Sequence, residues 1–139
     1  MFPSNVSSPV SSADSPDVTR DGQSVAPPAY TEQYNADFVS RWDELIDWNK
    51  RAEGEGTFFS QLLLQAGACR IFDASCGSGF HSVQLRHAGF DVTACDGSPT
   101  MVRQAKANFA SRGLDIPTLC CDWHDLDPRQ LGTFDAVLC

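Results

Sequence analysis

The chain has 139 residues, enough for one domain, and a formal net charge of -8, with only ten lysines and arginines scattered along it. Nucleic-acid and anionic-membrane surfaces need clustered basic side chains, so this balance argues against both and favours a small-molecule partner. No apolar run approaches the roughly 18 residues needed to span a bilayer, and the start has neither an apolar signal core nor an arginine-rich, acid-poor composition, so the expected location is cytoplasmic.

Residues 1–29 are rich in serine and proline, with Phe2 and a few isolated valines as the apolar content. Such a segment cannot offset its ordering entropy, so a disordered tail is expected over 1–29, with a domain over 30–139. From Thr31 onward Tyr34, Phe38, Trp42, Leu45 and Ile46 recur at helical spacing among Asp37, Arg41, Glu44 and Asp47, the pattern of an amphipathic helix. On pattern alone its aromatic stripe reads as core. Trp48 and the charged run Asn49–Glu53 lead to a second helix over Phe58–Ala66, stopped at Gly67.

The central stretch is Ile71-Phe-Asp-Ala-Ser-Cys-Gly-Ser-Gly79, a short apolar run ending in an acid and entering small residues and two alternate glycines. Phe80–Ala88 then reads as a short helix closed by Gly89. Strand, glycine turn and helix follow in that order. A loop bare of side chains lets backbone N–H groups approach a ligand, and the positive end of the next helix points at the same place, which makes a nucleotide-cofactor cradle.

Asp91–Asp96 reads as a second strand ending in an acid. In doubly wound folds an acid about 20 residues beyond the loop accepts hydrogen bonds from ribose hydroxyls. Asp96 has that place, and a helix cap or turn acid before Gly97-Ser98-Pro99 is the alternative reading. Ser98 can cap, and Pro99 open, a helix through about Arg112 with Val102, Ala105 and Phe109 on its buried stripe. Pro117–Cys121 is a third strand closed by Asp122-Trp123-His124-Asp125; Asp127-Pro128 opens a short helix or turn, and Phe134–Cys139 is a fourth strand.

This alternation predicts an α/β fold, a Rossmann-like, doubly wound parallel sheet with N-terminal helices, strand order 3-2-1-4 and the ligand above the carboxyl ends of strands 1, 2 and 4. The fourth strand would form an edge with no helix after it. The expectation is therefore the amino-terminal part of a larger domain, truncated after that strand, or an edge covered by another chain or a second copy.

No two of the six cysteines, Cys69, Cys76, Cys95, Cys120, Cys121 and Cys139, have metal-binding C-x-x-C spacing, so no metal is expected. Cys95, Cys120, Cys121 and Cys139 lie in apolar runs and are expected to pack as small hydrophobes. His81, His87 and His124 are expected in packing or solvent roles.

Asp73-Ala-Ser-Cys-Gly-Ser-Gly79, Cys-Asp96-Gly-Ser-Pro-Thr-Met, Cys-Asp122-Trp123 and Phe-Asp-Ala-Val-Leu-Cys139 resemble the successive motifs of class I S-adenosylmethionine-dependent methyltransferases. Arg41-Trp-Asp-Glu-Leu-Ile-Asp-Trp48, Lys50-Arg-Ala-Glu-Gly-Glu-Gly56 and Gly79-Phe-His-Ser82 are similar to the glycine/sarcosine N-methyltransferases that begin betaine synthesis. The likeness runs from about Tyr34 to Cys139.

It implies S-adenosylmethionine as cofactor. Gly77 and Gly79 would admit its amino-acid portion, with Ser75 where the family usually has a small alanine, and Asp96 would take the ribose hydroxyls. Asp122 and Trp123 would flank the adenine. Arg51 would pair with the cofactor carboxylate, and Tyr34 and Trp42 match aromatic positions of an N-terminal lid. The implied chemistry is methyl transfer to the nitrogen of glycine, sarcosine or a similar amine, with no acid–base catalytic residue assigned. A non-catalytic module pairing through its open sheet edge is the alternative. A nicotinamide-dependent oxidoreductase is disfavoured, because Gly77-x-Gly79-x-x-Ser82 lacks the third glycine of that fingerprint.

Overall fold

A computed structural model describes residues 33–139, so the segment read as a tail lies outside the described residues. The elements are α1 (Ala36–Ile46), α2 (Trp48–Glu55), α3 (Phe58–Gln65), β1 (Arg70–Asp73), α4 (Phe80–His87), β2 (Asp91–Asp96), α5 (Pro99–Ser111), β3 (Thr118–Cys120), a 3-10 turn at Trp123–Asp125, α6 (Pro128–Leu131) and β4 (Ala136–Leu138). The strands form one parallel sheet in the order β3-β2-β1-β4. That is the expected order. Asp73 is level with Ala94 and Leu138, and β2 runs two residues further to Asp96, level with Cys120.

Side chains alternate across the sheet, so Ile71, Val92 and Ala94 enter one core with Val83, Leu85, Ala105 and Phe109 from α4 and α5. Phe72 and Cys95 face the other way into a smaller cluster closed by Leu126, Leu131 and Phe134. Both faces of β1 are therefore covered, as a parallel strand requires. The Asp135 carboxylate accepts from the Cys69 and Arg70 N–H groups, each at 2.8 Å, and fixes the entry of β1 beside β4.

Two sequence expectations need correction. The chain breaks at Asp47, a non-glycine residue with φ 39°, and resumes as α2 where a charged run was expected. Asp47 makes this possible because its side chain accepts from the Lys50 N–H at 3.2 Å, capping the new helix. The cysteines also divide. Cys76 and Cys95 are buried, whereas Cys120 and Cys139 are exposed and Cys121 half-buried. The reason is topological: β3 and β4 are the two sheet edges, so their apolar runs lack a second covering layer. Among the described residues no helix is long and apolar enough to cross a membrane, and no acid, histidine and cysteine cluster could hold a metal.

Candidate functional site

β1 delivers Asp73 to the carboxyl edge of the sheet, where it is 2% exposed. Burial pushes its carboxyl above the usual range, although the Ser82 Oγ donates to it at 2.6 Å. The chain then turns across the edge, held by the Cys76 N–H on the Cys95 carbonyl and the Gly79 N–H on the Cys76 carbonyl, both 2.8 Å.

The two glycines of the turn do different work. Gly77 has φ +54°, its N–H donates to Asp96 Oδ2 at 2.9 Å, and a Cβ there would meet no atom within 4 Å. It opens onto the cavities described next. Gly79, at φ +93°, lines neither of them. A Cβ there would lie 2.4 Å from Cε1 of the buried Phe109, so the packing of a core ring requires a glycine at this position.

A cavity of about 550 Å³ lies over the carboxyl ends of β1, β2 and β3, lined by Tyr34, Trp42, Ser75, Gly77, Asp96, Asp122 and Trp123, with Met101, Cys121 and His124. Seven of the nine residues singled out in the sequence meet there. A second cavity of about 260 Å³ shares Trp42, Ser75 and Gly77 with the first and adds Arg51, Asp73, Phe80 and His81. Arg51 and Asp96 therefore line neighbouring cavities that share Ser75 and Gly77 of the glycine loop.

Asp96 makes the contacts of a turn acid and also lines the large cavity. One oxygen takes the Gly77 N–H and the other takes the Ser98 N–H at 2.8 Å, a turn contact, while Ser98 itself caps α5. A carboxylate oxygen offers two lone pairs, so each can accept once more from the cavity. Asp122 Oδ1 accepts from the His124 N–H at 3.0 Å and shapes the 3-10 turn that presents Trp123. The Trp123 Nε1–H donates to the Ala74 carbonyl at 2.6 Å, tying the indole to the glycine loop while 59% of the residue stays exposed. Tyr34, Phe38 and Trp42 form a cluster of tilted and edge-on rings with centroids 5.2 to 6.1 Å apart, and Tyr34 and Trp42 line the cavity rather than the deep core.

Sequence reasoning missed Glu55. Arg51 Nε donates to Glu55 Oε1 at 2.7 Å, and the guanidinium lies 4.7 Å from the centroid of the Phe80 ring. The other Glu55 oxygen is 2.8 Å from His81 Nε2. Burial pushes the Glu55 carboxyl up, but hydrogen bonds from Arg51 and His81 outweigh it and hold the group below its ordinary value. His81 is thus part of an Arg51–Glu55–His81 cluster rather than simple packing, whereas His87 and His124 are exposed as expected. The i, i+4 spacing of Arg51 and Glu55 was the available signal.

The large cavity carries acceptors, Asp96 and Asp122, suited to hydroxyl and amino donors. The small one carries a guanidinium suited to a carboxylate.

Residues 71–139 match the family described as a methyltransferase domain. The chain belongs to the class I S-adenosylmethionine-dependent methyltransferases. It is 49% identical over 110 residues to the glycine/sarcosine N-methyltransferase of Halorhodospira halochloris, covering 79% of this chain and 41% of that protein. It is 47% identical to the protein of the same name from Parasynechococcus marenigrum, covering 79% and 39%. The chain spans about two fifths of the length of the curated relatives it matches. Among solved structures, the N-terminal domain of EvdMO1 with SAH bound aligns with a TM-score of 0.52 at 29% identity, covering 57% of this chain and 35% of that one.

Proposed function

We propose that residues 30–139 are the cofactor-binding part of an S-adenosylmethionine-dependent N-methyltransferase acting on glycine, sarcosine or a similar small amine in the cytoplasm. The observation that carries this reading is that Asp96 and Arg51 line two cavities that share Ser75 and Gly77 of the glycine turn. A nucleoside bearing an amino-acid chain needs acceptors for its ribose at one end and a cation for its carboxylate at the other. The bare Gly77 position lets such a ligand pass close to the backbone. The identity to curated glycine/sarcosine N-methyltransferases supports the substrate class.

In this reading Asp96 binds the ribose hydroxyls, Trp123 packs on the adenine and Asp122 takes its amino group. Arg51 turns Nη1 to the carboxylate while Nε stays with Glu55 and Nη2 lies 3.4 Å from His81 Nε2. Trp42 and Tyr34 close the site against water, which favours transfer by holding the reacting atoms in line. When bound, S-adenosylmethionine supplies a methyl group on positively charged sulfur: the C–S bond breaks as the N–C bond forms, the thioether leaves with the electron pair, and the amine nitrogen gives up its proton. No acid is needed at the leaving group. Incubating a full-length protein that contains these residues with methyl-labelled cofactor and glycine or sarcosine tests the reading; label in the amine is expected, and none above background would refute it.

A second reading is supported by β4, which forms an edge with Val137 64% exposed. A strand from another chain or a second copy would pair there, making this a partner-binding module. Sedimentation across a concentration series discriminates: a rising mass favours pairing, and a constant monomer opposes it.

A further inference from the structure

Helix α1 carries Trp42, a wall shared by both cavities, yet apolar packing anchors it weakly. Val39 is its one buried residue, and Leu45 is 67% exposed. Its polar attachment is far more developed. Asp43, the neighbour of Trp42, accepts from Trp48 Nε1 at 2.9 Å through Oδ1, and from Gln104 Nε2 at 2.9 Å and Asn108 Nδ2 at 2.8 Å through Oδ2. Asn108 Nδ2 also donates to the Ser78 carbonyl at 2.9 Å. An amide nitrogen has two hydrogens, so this single atom joins α1 to the glycine loop. The rest of the surround is aromatic and cationic: Trp48 packs edge-on against Phe80 at 5.4 Å, and the Arg112 guanidinium lies 4.2 Å from the Trp48 ring centroid. Burial pushes the Asp43 carboxyl up, but its donors outweigh this and hold it below the usual range. A half-buried carboxylate with this many donors is a structural joint rather than a solvated charge.

We propose that Asp43 is a positioning residue for cofactor binding, which through Asn108 fixes Trp42 of α1 against the Ser78 carbonyl of the glycine loop. The proposal rests on the reading of the two cavities as a cofactor site. Trp42 follows the loop through one polar link, and losing the link releases the wall without disturbing the sheet. The side chain sits on the lid helix, while its α5 partners lie 61 and 65 residues further along, so the link ties together parts of the chain that local structure does not hold.

Two shape-preserving variants test this. Asp43→Asn keeps the volume but, in either orientation of the amide, sets an N–H against at least one donor. Asn108→Leu keeps packing and removes both bridging hydrogen bonds. Hydrogen exchange over residues 36–46 is compared with that of β1 and β2, and binding of S-adenosylhomocysteine is titrated by calorimetry. Each variant is expected to speed exchange in α1 by about tenfold, leave the sheet protected, and weaken S-adenosylhomocysteine by about tenfold. The double variant is expected to bind no more weakly than the worse single one, because both act on one link. Unchanged α1 exchange, loss of sheet protection in step with α1, or additive affinity losses would overturn the proposal. If the unmutated chain fails to bind S-adenosylhomocysteine, the cofactor reading fails, while the exchange pattern still decides whether Asp43 holds α1.

Discussion

Replacing Gly79 with alanine puts a methyl carbon 2.4 Å from Phe109 Cε1, 2.7 Å from its Cζ and 3.4 Å from the Ala105 Cβ. Non-bonded carbons prefer about 3.5–4.0 Å, so the ring must move by about an ångström. Phe109 and Ala105 are 2% and 0% exposed, which leaves the ring little room to move. Overpacking of this kind costs about 1–3 kcal/mol. The φ of +93° adds about 1–2 kcal/mol for a residue with a side chain, so the total is roughly 2–5 kcal/mol. Gly77→Ala is the internal control: its φ of +54° carries the same kind of backbone cost, but its Cβ meets nothing within 4 Å. Urea unfolding followed by circular dichroism should show Gly79→Ala as clearly the less stable variant, and calorimetry should show Gly77→Ala with the larger loss of S-adenosylhomocysteine affinity. A Gly79→Ala shift under about 0.5 kcal/mol would refute the packing argument, since the steric term alone exceeds it.

Arg51→Lys keeps the charge but loses the planar fork over Phe80. It should weaken S-adenosylhomocysteine by about tenfold or more while leaving 5′-methylthioadenosine, which has no carboxylate, unaffected in parallel titrations. Burial holds the Asp73 carboxyl above its ordinary value of 3.8, so the folded state keeps that proton longer than the unfolded chain. Its contribution is fully present below 3.8 and is lost as pH rises through the folded-state value; Asp73→Asn should remove that slope from a series of denaturant titrations. Iodoacetamide should label the exposed Cys69, Cys120 and Cys139 and spare Cys76 and Cys95, because burial pushes the Cys95 thiol up to about 11 and the Cys76 thiol higher still. Mass spectrometry showing Cys95 labelled as fast as Cys120 would contradict that burial.

The sheet was legible because its signals are local: an apolar run into Gly77, an acid closing β2, and Ser98-Pro99 opening α5 each report a backbone requirement within a few residues. Strand order followed from right-handed winding. The break at Asp47 was not legible, because a left-handed conformation in a non-glycine residue leaves no periodic trace and the polar stretch after it resembles a loop. Asp43 and Glu55 were hidden for another reason. A charged residue on an amphipathic helix, or after a charged run, reads as solvated, and what makes these two different is partners such as Asn108 and His81 brought near by folding. Gly79 resembles a ligand-facing glycine in sequence, and only the packing of α5 shows that Phe109 requires it. Cys120 and Cys139 lie in apolar runs, but exposure at a sheet edge depends on which strands end the sheet.

The most direct test of the central claim is calorimetric titration of S-adenosylmethionine and S-adenosylhomocysteine into the 139-residue chain, beside Asp96→Ala. Asp96 holds the Gly77 and Ser98 N–H groups and lines the large cavity, so its loss removes the proposed ribose acceptor and loosens the loop together. The account predicts one saturable site on the chain, weakened by tenfold or more in a variant whose circular dichroism still reports a folded sheet. Equal binding by both proteins would contradict the assignment of Asp96, and no binding by the folded unmutated chain would contradict the cofactor site itself.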